Sequence, residues 1–285
     1  MDKYETLRLG FHLSIGGSID QVFERAANTQ SNTFQMFSRN PRGWRSTKLD
    51  IVDVKNFRMK LERSKIWPVF VHTPYLLNLA SPKQEVYLKS VEVLKDELLV
   101  SSRLGIPFVV THLGSHVGSG KKTGFERIVK AINDSFSSVE NKVILLLENT
   151  AGTKNSMGSY LEDIETILSR IEDQKRVGVC FDTCHAFAAG YDLVSRGSVE
   201  KAVQTFDEII GFEKLKLVHL NDSKGGLGSR IDRHEHIGLG KIGESGFRSI
   251  LKSKLRSLPL ILETPIDERR DDIGNLEKVR ELAQE

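Results

Sequence analysis

The sequence predicts a (β/α)8 barrel, and two observations support that fold class. Short apolar segments rich in β-branched residues recur roughly every 30 to 40 residues, and amphipathic segments lie between them. Continuously apolar strands that alternate with helices indicate a parallel sheet buried on both faces, and a count of eight favours closure into a barrel. The predicted strands span residues 7–14, 33–38, 68–74, 108–114, 143–150, 177–184, 215–222 and 258–264.

The segments between the strands have helical periodicity. From residue 86 to 104, leucine and valine recur at spacings of three and four residues, which places them on one face of a helix. No linker rich in proline, glycine or serine divides the chain, so we predict a single domain over residues 1–285. The alternative is an open doubly wound sheet, but the first strand-to-helix turn, S-I-G-G-S, lacks the G-x-G-x-x-G phosphate loop.

Composition limits the class of protein without deciding its function. Hydrophobic residues make up 39% and charged residues 28% of the chain, which is ordinary for a soluble globular protein. No apolar run approaches the ~20 residues of a membrane helix, and the N-terminus lacks the apolar core of a signal peptide, so we expect a cytoplasmic protein. If Cys180 and Cys184 share a strand, they lie roughly 13 Å apart and stay reduced.

Metal-competent side chains stand at the carboxyl ends of six successive predicted strands. These side chains are His72, His112, Glu148, Asp182, His219 and Glu263. The carboxyl end is the reactive face of such barrels, because the strand-to-helix loops converge there. Side chains alternate along a strand, so the residues two positions earlier face inward too. They are apolar or thiol, namely Phe70, Val110, Leu146, Cys180, Leu217 and Ile261, which predicts a packed interior capped by a polar layer.

A metal explains this polar layer better than isolated structural roles do. A single histidine at a strand end is commonly a hydrogen-bonded structural residue, and a single carboxylate there is commonly a helix N-cap. Six such groups converging in a low-dielectric barrel mouth would each cost several kcal/mol in desolvation if unpaired. Imidazole mixed with carboxylate, without thiolate, favours zinc, with manganese or iron as substitutes.

Further candidate ligands lie in two loops. His185 follows Asp182 by three residues, and Asp232 and His234 are two apart in the stretch G-S-R-I-D-R-H-E-H-I-G-L-G at 228–240. In an extended segment Asp232 and His234 point the same way and Arg233 points opposite. Together with the strand ends this makes nine ligands, enough for three ions if one carboxylate bridges.

Four other polar residues near these positions are not assigned as ligands. We expect Glu235 and His236 to be solvated neighbours of the ligands in the loop. His12 and His116 are candidates for hydrogen-bond donors that line the pocket.

Three long motifs resemble those of the endonuclease IV family of abasic-site endonucleases. They are L-E-N-T-A-G at 147–152, C-F-D-T-C-H-A-F-A-A-G-Y-D-L at 180–193, and H-L-N-D-S-K-G-G-L-G-S-R-I-D-R-H at 219–234. The resemblance extends from G-F-H-L-S near the N-terminus to L-E-T at 262–264. It implies a xylose-isomerase-like barrel with three zinc ions. By that resemblance one zinc is held by His72, His112 and Glu148, a second by Glu148, Asp182, His219 and Glu263, and a third by His185, Asp232 and His234.

The resemblance also implies a reaction. It is hydrolysis of the phosphodiester 5′ to an abasic site in duplex DNA, which leaves a 3′-hydroxyl and a 5′-deoxyribose phosphate, together with trimming of blocked 3′ ends. Glu148 and Glu263 are then the catalytic carboxylates, which position the attacking water without becoming covalent nucleophiles. Three divalent ions would raise the formal charge of +3 to about +9, a suitable field for steering a polyanion.

Candidate DNA contacts lie in loops on the same barrel face. The stretch S-R-N-P-R-G-W at 38–44 combines Arg39, Arg42 and Trp44, side chains that contact phosphates and insert into base stacks. Tyr75 resembles the family residue that inserts at the lesion, and Arg42 resembles its partner. Leu239 departs from the family, which has an acidic residue there. We expect a monomer, because the barrel mouth must stay open for DNA.

Two other functions fit part of the pattern. A metal-dependent sugar isomerase or epimerase of the xylose-isomerase-like barrels needs only one or two ions, and it leaves His185, Asp232 and His234 without a role. A catalytically silent lesion-binding protein predicts an incomplete ligand set, whereas every ligand position is filled in this sequence.

Overall fold

The computed structural model describes residues 7–46 and 49–284. Eight strands belong to the barrel: β1 Leu9–Leu13, β2 Phe34–Phe37, β3 Val69–His72, β4 Phe108–Thr111, β5 Ile144–Glu148, β6 Val177–Asp182, β7 Leu215–His219 and β10 Leu260–Leu262. Each pairs in parallel with its neighbours, and β10 closes the sheet between β7 and β1. This confirms the predicted (β/α)8 barrel.

Helices connect the strands on the outside of the barrel. They are α1 Val22–Asn28, α2 Ile51–Arg63, α3 Gln84–Leu104, α4 Lys121–Ser138, α5 Leu161–Leu168, α6 Thr183–Ala189, α7 Arg196–Ile209, α8 Gly243–Lys252 and α9 Asp272–Gln284. A two-stranded antiparallel ribbon, β8 Asp222–Ser223 and β9 His234–Glu235, lies in the connection after β7. Within the described residues, no helix is both long enough and apolar enough to cross a membrane.

The barrel interior is filled by the side chains that alternation predicts. Phe70, Val110, Leu146, Cys180, Leu217 and Ile261 are fully buried and form one cluster. A larger apolar core lies between the strands and the helices. Gly10 on β1 lets β2 approach closely, because a Cβ at this position would overlap Thr33 O. The packed interior supports a rigid polar layer above it.

The predicted strand at 177–184 was too long. The segment 177–184 divides at Asp182, where β6 ends and α6 begins. Asp182 Oδ1 accepts a hydrogen bond from the His185 N–H at 2.8 Å, so this carboxylate caps the helix. Cys184 therefore lies in a helix and not on the strand with Cys180. Both thiols are free and buried, as predicted, and burial raises the pKa of each to about 12.

Candidate metal centre

The nine predicted ligands meet at the carboxyl end of the barrel. Their ligand atoms form three groups, and within each group all atoms lie within 4.8 Å of one another. The groups are His72, His112 and Glu148; Glu148, Asp182, His219 and Glu263; and His185, Asp232 and His234. Glu148 belongs to two groups, so its carboxylate joins them.

The secondary structure places each of these side chains. His72, Glu148, Asp182 and His219 are the last residues of their strands, while His112 and Glu263 directly follow β4 and β10. His185 lies in the first turn of α6, and His234 lies in the ribbon strand β9. The carboxyl ends of the parallel strands thus hold six ligands at one height, and two connections add the remaining three.

Three of the histidines are oriented by backbone carbonyl groups. The pairs are His72 Nδ1 with Thr73 O at 2.6 Å, His185 Nδ1 with Asn149 O at 2.9 Å, and His234 Nδ1 with Glu263 O at 3.0 Å. A carbonyl oxygen only accepts, so Nδ1 carries the proton in each ring and Nε2 faces the site. This arrangement is typical of metal-binding histidines.

The Nε2 atoms of the same rings point at carboxylate oxygens. The distances are 3.0 Å from His72 to Glu148 Oε2, 3.2 Å from His185 to Asp232 Oδ1, and 3.6 Å from His234 to Asp182 Oδ2. A lone pair that faces anionic oxygens needs a cation between them. His234 Nε2 is buried and has no hydrogen-bond partner among the described residues, which costs about 1–3 kcal/mol if nothing binds there. The residues therefore fit divalent metal ions.

The electrostatics of the cluster keep its carboxylates ionised. Burial opposes the charged form of Glu148, but the charges of His112 and His219 outweigh it and hold its pKa well below the usual range. Burial also opposes the charged form of Glu263, but the charge of His219 outweighs it. The pKa of Glu263 is therefore well below the usual range as well. The contact with His185 lowers the pKa of Asp232 to about 2. Anionic oxygens are thus present in all three groups at neutral pH.

Cys184 is near the centre but is a poor ligand. Its sulfur lies within 4.8 Å of ligand atoms of Asp182 and His234. Its thiol is directed at Arg233 O at 3.6 Å, and burial raises its pKa to about 12. Only the thiolate is a strong metal ligand, so the histidines and carboxylates form the site.

A cavity of about 900 Å³ opens above the centre. His12, His72, His112, His185, His234 and Glu263 line its floor. Tyr75 stands at the mouth with 62% of its surface exposed, and its ring packs edge-on against Phe37 at 5.2 Å. The Tyr75 N–H donates to Pro41 O at 3.2 Å, which ties the Tyr75 loop to the loop that carries the exposed Arg42.

Comparisons with known proteins decide the family. Residues 23–284 match the family described as xylose isomerase-like TIM barrel. A protein of Methanoculleus marisnigri named probable endonuclease 4 is 54% identical over 96% of this chain and 98% of its own length. The crystal structure of endonuclease IV from Thermus thermophilus superposes with a TM-score of 0.85 at 37% identity, covering 97% of this chain and 99% of that one.

The chain belongs to the endonuclease IV family. A solved D-tagatose 3-epimerase-like protein also superposes, with a TM-score of 0.71 over 98% of this chain and 97% of that one. Its sequence identity is only 21%, so this likeness concerns the barrel fold alone. The fold is therefore common to the endonuclease IV family and to epimerase-like barrels, and the site has to distinguish their functions.

Three residues that support the ligands were missed in the sequence. Asn149 accepts from the Asp182 N–H at 2.7 Å and donates to Asp182 O at 3.0 Å. Asn221 donates to Asp182 Oδ2 at 2.7 Å and accepts from the Glu263 N–H at 2.8 Å. Gln35 contacts both His219 and Glu263. The two asparagines follow ligands within the L-E-N-T and H-L-N-D motifs, and this position could have indicated their supporting role. No motif in the sequence marks Gln35.

The loop that carries Asp232 and His234 is anchored, which corrects one expectation. His236 is fully buried, with Nε2 at 2.9 Å from Asp267 Oδ1 and Nδ1 at 2.9 Å from Asn275 Nδ2. Glu235 is also buried and pairs with Arg269 at 2.9 Å. The prediction that Glu235 and His236 are solvated was wrong, because the segment after β10 and helix α9 pack over them. Arg233 is exposed and, like Asp232 and His234, borders the cavity.

The two other histidines differ in their positions. His12 lies in the cavity, with Nδ1 at 2.9 Å from Glu263 Oε1 and with Nε2 buried and unpaired among the described residues. His116 Nδ1 accepts from the N–H groups of Gly118 and Gly120 at 3.2 Å, so it shapes its own loop. His12 is thus placed to support the site, and His116 lines a neighbouring cavity instead.

The structure also corrects the assignment of Arg39 as a DNA contact. Its side chain is 1% exposed, and Nε donates to the buried Glu97 at 2.5 Å. Ser38 donates to the same carboxylate at 2.6 Å. Arg39 therefore fixes the base of the loop, while Arg42 is exposed and Trp44 is half-buried against the core.

Proposed function

We propose that the protein is an abasic-site endonuclease that uses three zinc ions. It hydrolyses the phosphodiester 5′ to abasic sites in duplex DNA, leaving a 3′-hydroxyl and a 5′-deoxyribose phosphate, and it trims blocked 3′ ends. The observation that carries the proposal is the set of three ligand groups, two of them joined by Glu148, in a chain of the endonuclease IV family. The names of the relatives as endonucleases support the same activity.

When bound, the ions would supply electrostatic stabilisation of the phosphate charge and a nucleophile at neutral pH. Manganese or iron can substitute in a site of imidazole and carboxylate ligands. The protein's part is to hold the ligands at fixed positions before substrate arrives. Nine ligand side chains on strand ends and anchored loops achieve this with little reorganisation.

The two carboxylates assigned to catalysis have different surroundings. The Glu148 side chain is 1% exposed, and its oxygens face His72 at 3.0 Å and His219 at 3.2 Å. The Glu263 side chain is 19% exposed and lines the cavity. We assign Glu148 to joining two metal positions, and Glu263 to orienting the attacking water, since Glu263 is the one of the two that lines the cavity.

Selectivity for abasic sites comes from the mouth of the cavity. Tyr75 and Arg42 lie in adjoining loops there, and an exposed ring can occupy the gap that a missing base leaves in the stack. An abasic nucleotide lacks stacking of its own, so its extrusion costs less than flipping a normal base. Trp44 packs against the core, and we assign it to holding Arg42 in place.

The proposal also covers the oligomeric state of the protein and its location in the cell. We propose a monomer, because duplex DNA has to reach the open end of the barrel. A cytoplasmic location remains a prediction, and two free buried cysteines agree with a reducing compartment.

The function is tested by metal analysis and a nicking assay on duplex DNA with a tetrahydrofuran abasic analogue. We expect about three zinc ions per chain, incision 5′ to the lesion, and loss of incision after chelation. His234→Ala should lose one ion and at least about tenfold in incision rate, because its Nε2 faces the site as a free ligand atom. His116→Ala is the matched control and should keep both.

Three outcomes would contradict the proposal. Full incision by His234→Ala would remove the third ligand group from the active site. An intact abasic duplex together with isomerisation of a sugar would favour the isomerase or epimerase alternative. Tight binding to abasic duplex without incision by the zinc-loaded protein would favour a silent lesion-binding protein.

A further inference from the structure

Gln35 on β2 is fully buried beside the ligand group that contains His219 and Glu263. Its Nε2 donates to Glu263 Oε1 at 2.8 Å, and its Oε1 lies 2.9 Å from His219 Nε2. An ionised carboxylate oxygen only accepts, so the NH2 end of the amide must face Glu263. The oxygen of the amide is then left for His219.

This orientation of the amide determines the tautomer of His219. Because Gln35 Oε1 only accepts, His219 Nε2 carries a proton and Nδ1 is directed into the site. His219 Nδ1 lies 3.2 Å from Glu148 Oε1, 3.3 Å from Glu263 Oε2 and 3.8 Å from Asp182 Oδ2. The atom that faces the three carboxylates is therefore Nδ1.

His219 differs in this respect from three other histidines of the centre. His72, His185 and His234 donate from Nδ1 to a backbone carbonyl and face the site with Nε2. His219 is turned the other way, and its orienting acceptor is a side chain. A backbone carbonyl cannot be removed by substitution, whereas the Gln35 amide can.

We propose that Gln35 is a positioning residue of the metal centre. Its oxygen sets the tautomer and ring direction of His219, and its nitrogen holds the Glu263 carboxylate in the same ligand group. His12 Nδ1 lies 2.9 Å from both Gln35 Nε2 and Glu263 Oε1, so His12 lies beside the same pair. The role rests on the proposed metal-dependent function and adds a residue that couples two ligands across the barrel.

Substitution of Gln35 separates its two contacts. Gln35→Met keeps the length of the side chain and removes both the acceptor and the donor. Gln35→Glu keeps an acceptor for His219 Nε2 but removes the donor to Glu263. Thr33→Val is the matched control just before the same strand, because Thr33 is fully buried and donates to Pro68 O at 2.6 Å without touching a ligand.

The experiment measures zinc binding to each full-length protein by calorimetry and histidine tautomers by long-range ¹H–¹⁵N NMR. For Gln35→Met we expect one ion to bind about 10–100-fold more weakly, and we expect loss of the fixed Nε2 proton of His219. Gln35→Glu should keep that proton and still lose affinity for the same ion. Thr33→Val should lower the melting temperature and leave metal affinity unchanged.

The proposal is overturned if Gln35→Met binds every ion with wild-type affinity and keeps the Nε2 proton of His219. It is also overturned if Thr33→Val loses the same ion, since the loss would then reflect a weakened strand. If Gln35→Met does not fold, Gln35→Glu decides: absence of the Nε2 proton in that variant contradicts the proposal. Failure of the wild-type protein to bind zinc contradicts the proposed function instead, and the tautomer of its His219 still tests Gln35.

Discussion

Arg39 is a buried cation at the base of the loop that carries Arg42 and Trp44. In the sequence it stands in a basic, aromatic stretch with Arg42 and Trp44, which predicts contact with DNA. In the structure its guanidinium faces Glu97 in the interior and lies 3.6 Å from Asp96. Burial raises the pKa of Glu97, and the Arg39 charge opposes that rise. The two neighbouring arginines therefore serve different purposes.

Arg39→Met should lower stability, whereas Arg42→Met should weaken DNA binding. Arg39→Met leaves the buried Glu97 without its cationic partner, so we expect a loss of about 3–5 kcal/mol in the free energy of unfolding. Arg42→Met should leave stability within about 0.5 kcal/mol and weaken DNA binding, reducing the salt dependence of affinity by about one charge. Denaturant unfolding and binding titrations at several salt concentrations measure both. The assignment of Arg39 fails if Arg39→Met is as stable as the wild type.

Tyr75 provides a residue-scale test of lesion recognition. Removing the ring in Tyr75→Ala should lower the preference for abasic over intact duplex about tenfold or more, because stacking of an aromatic ring on a base is worth about 1–3 kcal/mol. Tyr75→Phe keeps the ring and its packing on Phe37, and it should stay close to the wild type. Competition binding with matched duplexes gives the ratio. Equal preferences for Tyr75→Ala and the wild type would exclude insertion of this ring.

At the scale of elements, the connection from β7 to α8 is built around one carboxylate. The fully buried Asp222 accepts hydrogen bonds from the N–H groups of Gly238, Gly240 and Ile242 at 2.9–3.0 Å. Asp222 also pairs with Glu235 in the ribbon that carries His234. The glycines allow the backbone to close around the carboxylate, and its hydrogen bonds hold the ligand loop in a defined shape.

Gly240→Ala tests this clamp. A Cβ at position 240 would overlap the Asp222 carboxylate, so we expect a loss of stability of about 1–3 kcal/mol and weaker binding of the ion held by His234. Gly226→Ala in the same connection is the control, because a Cβ there meets no atom within 4 Å. Thermal unfolding and zinc titration of both variants give the comparison. Identical behaviour of the two alanine variants would rule out a role for the clamp.

The strand-end ligands could be predicted from the sequence, whereas contacts between distant segments could not. Ligands at strand ends were predictable, since parallel strands place their carboxyl ends at one edge and side chains alternate strictly along them. The limits appear where an interaction depends on distant parts of the chain. Gln35 meets His219 across 184 positions, and His236 is buried by a helix 39 positions later. No local pattern in the sequence encodes either contact.

At the scale of the whole molecule, the fold alone does not decide the function. The barrel is also found in an epimerase-like protein, and one or two ions would serve an isomerase. The third ligand group distinguishes the proposed endonuclease from an isomerase. Its residues lie in α6 and in the connection between β7 and α8, and none lies on a barrel strand. The number and positions of the ions therefore distinguish the two functions.

The most direct measurement is a crystal structure of the zinc-loaded protein with anomalous scattering recorded at the zinc edge. We expect three anomalous peaks in the barrel mouth. One should contact His72, His112 and Glu148, a second Glu148, Asp182, His219 and Glu263, and a third His185, Asp232 and His234. A single peak in the second group, with His185, Asp232 and His234 free of metal at saturating zinc, would contradict this expectation.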